Sequence, residues 1–376
     1  MEFGVFIQNY VPNFRRDQDA DAEHTVIMDE LRIVEAADRA GFKYALIPEH
    51  HFLDEYSHLS ASDVITGYLA RSTERIHIVS AIFNPLPQVN HPAKVAERVA
   101  MLDHISQGRF EFGTGRGAGS HEILGFLPGM TDLSHTREIW EDVIGEFPKM
   151  WMQETYEGYE GKYWSLPPRK ILPKPWKRPH PPMWYAAGNP SSYEMAARKG
   201  LGVLGFSVGD LHDLEKIVDV YKDAVQEAEP IGAFVNDNLC ITSAAFVKPD
   251  HAAAVQSAVD SRLNYLQTQV FRYHDTFPRP EMVPPWPEQI PEYDADTIES
   301  MAGIGAVVCG DPDEALEQCR RWESAGADQL IFGTGTATVD DTIEMIELMG
   351  AHVIPKIDTD PEHRTSRMRD AAAATS

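Results

Sequence analysis

The sequence predicts an α/β protein built as a (β/α)8 TIM barrel, with a hairpin or loop insertion and a long Pro-rich lid loop. Three observations carry that expectation. Apolar strand-like runs alternate with amphipathic segments along the 376 residues, eight such runs can be counted, and three helix–Gly–strand junctions echo one another. The strands are read at 3–7, 44–47, 77–83, 110–114, 183–187, 203–207, 239–247 and 329–332. Each run is short, mostly apolar and free of Pro, as a strand buried on both faces requires. Between them, 26–40, 92–105, 191–199, 211–228, 252–266 and 339–349 repeat apolar residues at helical spacing. The junctions ADRAGFKYALIPEH (37–50), AARKGLGVLGFSV (196–208) and ESAGADQLIFGTG (323–335) each read helix end, Gly, then strand. Gly41, Gly200 and Gly326 fit the left-handed residue that closes a helix, which favours a closed barrel over a doubly wound sheet.

Two segments break the alternation. Residues 157–182 are rich in Gly, Pro and aromatics and read as a hairpin or irregular loop over one barrel mouth. Residues 271–293 carry Pro278, Pro280, Pro284, Pro285, Pro287 and Pro291, which excludes a regular helix. With Phe271, Tyr273, Phe277 and Trp286 as apolar cover, this segment reads as a lid spanning about 271–300. Residues 1–357 read as one domain, and 358–376, polar and then Ala-rich, as a disordered tail.

Composition excludes several classes of function. Lys and Arg number 33 against 58 Asp and Glu, a net charge of −25, so neither nucleic acid nor an anionic membrane is the expected partner. No apolar run reaches membrane length and the N-terminus carries no basic region, so neither a membrane span nor a signal peptide is expected. Cys240, Cys309 and Cys319, an odd number without metal-like spacing, read as reduced thiols of a cytoplasmic protein.

In a barrel, chemistry sits where strands end and the following loops begin. Collecting those positions gives Gln8 and Asn9, then Glu49, His50 and His51 of the EHHF run, then Asn84, Gly115, Arg116 and Gly117. Gly188, Asn189, Ser191 and Ser192 follow the fifth strand, Ser207 the sixth, and Thr334 and Thr336 the last. The set holds no thiol nucleophile and no carboxylate pair, which is poor for hydrolysis and better for holding a cofactor. Adjacent strand residues point to opposite faces, so His50 and His51 are not expected to share one pocket. A metal site is disfavoured, because His50-His51 lacks the i, i+2 spacing and an obvious companion carboxylate on other strand ends. GTGRGAG (113–119) matches neither a Walker loop nor GxGxxG, and alone reads equally as a structural turn. AAGNPSSYEMA (186–196) runs from strand into a helix opened by Asn, Pro and two serines, and its free N–H groups and hydroxyls suit an anion. With Arg116 at the neighbouring strand end, two weak signals converge on one anion. A chain this acidic does not attract a phosphate over distance; the attraction must come from short charge-assisted hydrogen bonds, worth about 1.5–3 kcal/mol each. Ser80-Ala81, small residues before Ile82, would let a flat ring lie against the third strand.

From FGVFIQNYVP to about residue 357 the chain resembles the bacterial luciferase-like family of flavin-dependent monooxygenases. The resemblance rests on AGFKYALIPEHHF, EGKYWSLPP, AGNPSSYEMAARKG and VCGDPDEALEQCRRWESAGADQLIF, and most specifically on HPAKVAERVAMLDHISQGRFEFGTGRG (91–117). It implies a two-component monooxygenase: a separate flavin reductase supplies reduced FMN, O2 forms a C4a-(hydro)peroxyflavin, and a small apolar substrate is oxygenated. It further implies that His50 lies over the flavin and acts as acid or base. Ala81-Ile82 would form a cis bulge behind the ring, and Arg116, Gly188, Asn189 and Ser192 would hold the phosphate. Glu49, Gly115 and Ser191 join these as expected cofactor contacts; Gly115 replaces a cysteine of luciferase, which would enlarge the pocket. Asn189-Pro190 departs from the family's usual phosphate pair. Phe52, Tyr56, Phe126 and Trp184 are candidate pocket residues. Two alternatives stay open: hydride transfer with a deazaflavin, and a non-catalytic partner subunit. A homodimer through the helices flanking the second and third strands is expected by analogy.

Overall fold

The computed structural model describes residues 1–11, 13–53, 55–117, 119–206, 210–261, 293–334 and 338–375. The strands in chain order are β1 (Glu2–Phe6), β2 (Tyr44–Ile47), β3 (His77–Ser80), β4 (Phe110–Thr114), β5 (Tyr159–Glu160), β6 (Ser165–Leu166), β7 (Met183–Ala187), β8 (Gly202–Phe206), β9 (Leu239–Val247), β10 (Val307–Gly310) and β11 (Gln329–Gly333). Eight of them close a ring in the order β1-β2-β3-β4-β7-β8-β9-β11, every pair parallel. These are the eight runs the sequence marks. They were legible because a barrel strand buries both faces and therefore shows an uninterrupted apolar stretch.

Gly41, Gly200 and Gly326 take φ of 93°, 70° and 96°, the helix-closing conformation expected of them. Where β3 and β4 meet, a Cβ on Gly113 would lie 1.8 Å from the Ser80 carbonyl oxygen, so only Gly fits. Ser80 then ties the two strands, its Oγ donating to the Gly113 carbonyl and accepting the Gly113 N–H, each at 2.9 Å. The third strand ends at Ser80 rather than Phe83; the Ala81–Ile82 peptide bond is cis, and Phe83 returns as a single bridge to Thr114.

Two differences stand out, one in the sheet and one at the C-terminus. β10 was not anticipated: it pairs with the far half of β9, outside the ring, and its four residues are too short to separate from a helix start by pattern. The expected hairpin within 157–182 is the antiparallel pair β5–β6. The lid expected at about 271–300 falls mostly outside the described residues, and its last part opens the helix Ala295–Ile304 capped by Asp294. The tail 358–376 was expected to be disordered, yet Arg364–Thr375 is a helix seated across the N-terminal mouth of the barrel. Arg369 is 1% exposed and forks onto fully buried Asp103, Nη1 to Oδ1 at 2.8 Å and Nη2 to Oδ2 at 3.0 Å. The Thr365 hydroxyl donates to Glu111 at 2.6 Å, beside His77 and the Trp184 indole N–H. Burial pushes the Glu111 carboxyl up to about 7 and holds His77 well below the ordinary histidine range. A polar, Ala-rich composition reads as tail because the buried partners that pair with these few side chains lie more than 250 positions away. Among the described residues no helix is long and apolar enough to cross a membrane.

Removing one partner of a buried ion pair strands the other charge, so Arg369→Ala is expected to lower stability by about 3–5 kcal/mol. Urea unfolding checks this, and a loss below about 1 kcal/mol would show that the helix is not anchored through Asp103.

Candidate active site

At the opposite, C-terminal mouth lies a cavity of about 360 Å³. It is lined by Glu49, His50 and His51 after β2, Ala81, Ile82 and Asn84 after β3, Arg116 and Gly117 after β4, Ala186 and Ala187 at the end of β7, and Gly188, Asn189 and Ser192 after it. Its size falls in the range of about 300–1,000 Å³ usual for sites holding a small ligand or cofactor. Apolar lining comes from Phe6, Val89, Ile123 and Phe126.

One end of the cavity suits an anion. Arg116 Nε donates to the Tyr185 hydroxyl at 3.1 Å and Nη1 to Thr136 Oγ1 at 3.2 Å, contacts that steady the guanidinium without engaging Nη2. Tyr185 is itself held against Trp140, ring centroids 4.6 Å apart, and the Trp140 indole N–H donates to Thr114 Oγ1 at 3.0 Å. Facing them, the helix Pro190–Arg198 begins at Asn189, whose Oδ1 accepts the Ser192 N–H (3.1 Å) and the hydroxyls of Ser191 (2.8 Å) and Ser192 (3.0 Å). A helix start with Pro at its first position presents N–H groups and a positive dipole end. Nothing lies within 4 Å of where a Cβ on Gly188 would be, so the backbone there is open to a ligand.

The other end holds four titratable side chains. His50 is 8% exposed; its N–H donates to the Leu59 carbonyl at 3.1 Å and its ring lies 5.3 Å from that of Tyr56. Its Nδ1 is buried without a hydrogen-bond partner, 3.6 Å from Oε1 of buried Glu122. The same Glu122 oxygen accepts the His51 N–H at 2.9 Å. His51 Nε2 faces Glu49 Oε1 at 3.5 Å, and the Ser62 hydroxyl donates to Glu49 Oε2. The hydrogen bond to Glu49 raises the His51 pKa above the ordinary histidine value, against a smaller opposing effect of burial. Behind β1, burial pushes the Glu30 carboxyl up to about 7 even though it accepts the Gln8 and Asn9 N–H groups.

Glu49, His50, Ala81, Ile82, Arg116, Gly188, Asn189 and Ser192 are thus brought together, as expected. Gly115 and Ser191 are not: neither lines the cavity, and a Cβ on Gly115 would meet Ile82 Cγ1 at 3.2 Å rather than open space. His50 and His51 both line it, contrary to the alternation argument. The reason is that β2 ends at Ile47, so residues 48–51 are loop and need not alternate. Gln8, Asn9 and Thr334 are buried off the cavity, and Ser207 and Thr336 lie outside the described residues. Of the aromatic candidates, Tyr56 and Phe126 line the cavity, Phe52 is 62% exposed, and Trp184 is buried at the other mouth beside Glu111. Sequence reasoning missed Glu122 and Tyr185. Glu122 lies six residues past Arg116, in a segment whose glycines drew the attention. Among the described residues no group of three or more His, Cys, Asp or Glu side chains could hold a metal ion.

Comparison with known proteins shows the family. Residues 1–329 match the family described as luciferase-like monooxygenase. The oxygenase component of the flavin-dependent trigonelline monooxygenase of Acinetobacter baylyi is 25% identical over 343 residues, covering 89% of each chain. Among solved structures, the oxygenating constituent of 3,6-diketocamphane monooxygenase from Pseudomonas putida, in complex with FMN, superposes with a TM-score of 0.74 at 20% identity, over 95% of this chain and 98% of that one. An F420-dependent secondary alcohol dehydrogenase superposes with a TM-score of 0.69 at 17% identity, over 94% and 98%.

Because Glu49 is the main cause of the elevated His51 pKa, Glu49→Gln should release the His51 proton at lower pH. The pair's contribution to stability is complete below about 6.5, the ordinary histidine value, and is lost as pH rises through the elevated one. A ring-proton NMR titration reads the midpoint directly, and an unmoved midpoint would rule the pairing out.

Proposed function

The chain belongs to the luciferase-like monooxygenase family, and we propose that it is the oxygenase of a two-component system that receives reduced FMN from a separate flavin reductase. As a member it is a flavin-dependent oxidoreductase that incorporates oxygen. The observation that carries the finer reading is one cavity with an anion-binding end at Arg116 and Asn189–Ser192 and an acid–base end at His50. FMN fits these residues. Arg116 Nη2, the open backbone at Gly188 and the Ser192 hydroxyl, once turned from Asn189 Oδ1, would hold its phosphate. Ala81-Ile82 and Ala186-Ala187 are small or flat enough to lie against its ring. Reduced flavin, when bound, supplies the electrons that activate O2 for transfer of one oxygen atom to a small apolar substrate.

The protein's own part is to bind, exclude water and move a proton. Phe6, Val89, Ile123 and Phe126 offer apolar surface that keeps water from the reacting atoms. His50, buried but lining the cavity, can take or give a proton there. Deazaflavin is the competing cofactor on this fold. Among the described residues lining the cavity Arg116 is the sole Lys or Arg, which suits one phosphate better than a long anionic tail. The name of the Acinetobacter relative, an oxygenase component, supports a reductase partner. Exposed Val64, Tyr68 and Met101, on the helices Ser62–Ser72 and Pro92–Ile105 that follow β2 and β3, support a homodimer.

With reduced FMN, oxygen and a panel of small ketones and aldehydes, the wild type should consume O2 and oxygenate one or more of them. His50→Ala should still bind flavin but lose product by at least tenfold while releasing hydrogen peroxide. Undiminished product from His50→Ala would remove His50 from the mechanism, and no oxygen uptake by the wild type would point to the deazaflavin.

A further inference from the structure

We propose that Glu122 fixes the proton on His50, holding the neutral ring in the tautomer with hydrogen on Nδ1 so that Nε2 is left as a bare proton acceptor for the cavity. Among the described residues His50 Nδ1, though buried, hydrogen-bonds to nothing, whereas buried ring nitrogens ordinarily have partners. The nearest charge is Glu122 Oε1 at 3.6 Å, just beyond hydrogen-bond reach. Contacts of this kind are often long before a ligand is bound and tighten afterwards.

The carboxylate is not there by accident of rotamer. Its Oε1 accepts the His51 N–H at 2.9 Å, which anchors Glu122, on the helix Ser120–Phe126, to the loop that carries His50. The His50 backbone is tied to Leu59 and its ring lies beside Tyr56, so both partners are held. The competing carboxylate, Glu49, is engaged by the Ser62 hydroxyl and by His51 Nε2. The two histidines therefore have different carboxylates, Glu49 for His51 and Glu122 for His50. Arg116, which also lines the cavity, has its Nε on the Tyr185 hydroxyl and its Nη1 on Thr136 Oγ1.

Electrostatics then choose the tautomer. With hydrogen on Nε2, the Nδ1 lone pair would face the Glu122 oxygen, two acceptors across 3.6 Å. With hydrogen on Nδ1, the same contact becomes an N–H directed at a carboxylate. When Nε2 takes up a proton from an acid in the cavity, the ring becomes an imidazolium that keeps Nδ1–H on Glu122, and the new positive charge forms beside a negative one. Glu122 is thus a positioning residue that acts through His50. Its catalytic meaning rests on the flavin reading given above, but the tautomer does not.

The test uses the full chain without cofactor, labelled with 15N at histidine, and ring nitrogen–hydrogen correlation spectra at pH 8.5. His50 is assigned by the signals lost in His50→Ala. Wild type should show His50 with hydrogen on Nδ1. In Glu122→Leu no acceptor is left beside Nδ1, and His50 should lose its preference for hydrogen on Nδ1 and shift to hydrogen on Nε2. Hydrogen on Nε2 in the wild type would overturn the proposal whether or not the variant folds, and so would an unchanged tautomer in a folded Glu122→Leu. Loss of flavin activity with the Nδ1–H signature intact would count against the flavin reading and leave the pairing standing.

Discussion

A closed ring of parallel strands has only one mouth at which strands end, and the rest of the molecule follows from that constraint. Glu49, Arg116 and Ser192 are far apart in sequence, yet each follows a strand that runs the same way, so all three meet around one cavity. The other mouth collects strand beginnings and must be sealed. Glu2, Tyr44, His77, Glu111 and Trp184 gather there as buried polar groups, and the helix Arg364–Thr375 closes over them. Arg369 on Asp103 and Thr365 on Glu111 satisfy groups that would otherwise be costly to bury. Stability and chemistry are thereby placed at opposite ends of one barrel.

The two ends also differ in how charge is used. At the sealed mouth, burial dominates: Glu111 is pushed up to about 7, and His77 and His363 are pushed down, the latter to about 2. At the open mouth, carboxylates sit next to histidines, and pairing with Glu49 outweighs burial at His51. A net charge of −25 would work against binding an anion there, but beyond about 8 Å such repulsion is largely screened at physiological salt. Local donors at Arg116 and the helix start at Asn189 decide the matter instead.

The strands were legible because each is short, mostly apolar and free of Pro, and the candidate anion end only because Arg116 converges with the Asn-Pro-Ser helix start, residues that singly are ordinary turn and cap residues. The acid–base end was legible only as a run of residue types. That His50 and His51 share the cavity follows from β2 ending at Ile47, the boundary read from the sequence, beyond which strand alternation no longer applies. Glu122 could not be seen, because its contact with His50 and His51 joins a short helix to a distant loop. Gly115 misled for a related reason: a missing side chain reads as added space, whereas here Ile82 occupies it. The C-terminal helix was hidden by composition, since two buried side chains, Thr365 and Arg369, anchor an otherwise polar, Ala-rich stretch.

FMN held in this cavity, as proposed, would have its phosphate at Arg116. The most direct measurement compares the affinities of the wild type and Arg116→Ala for reduced FMN and reduced riboflavin, which lacks the phosphate. One lost charge-assisted bond, about 1.5–3 kcal/mol, corresponds to roughly 10- to 150-fold weaker FMN binding in the variant. The account predicts that loss for FMN and little change for riboflavin. Equal losses for both ligands, or none for either, would contradict it.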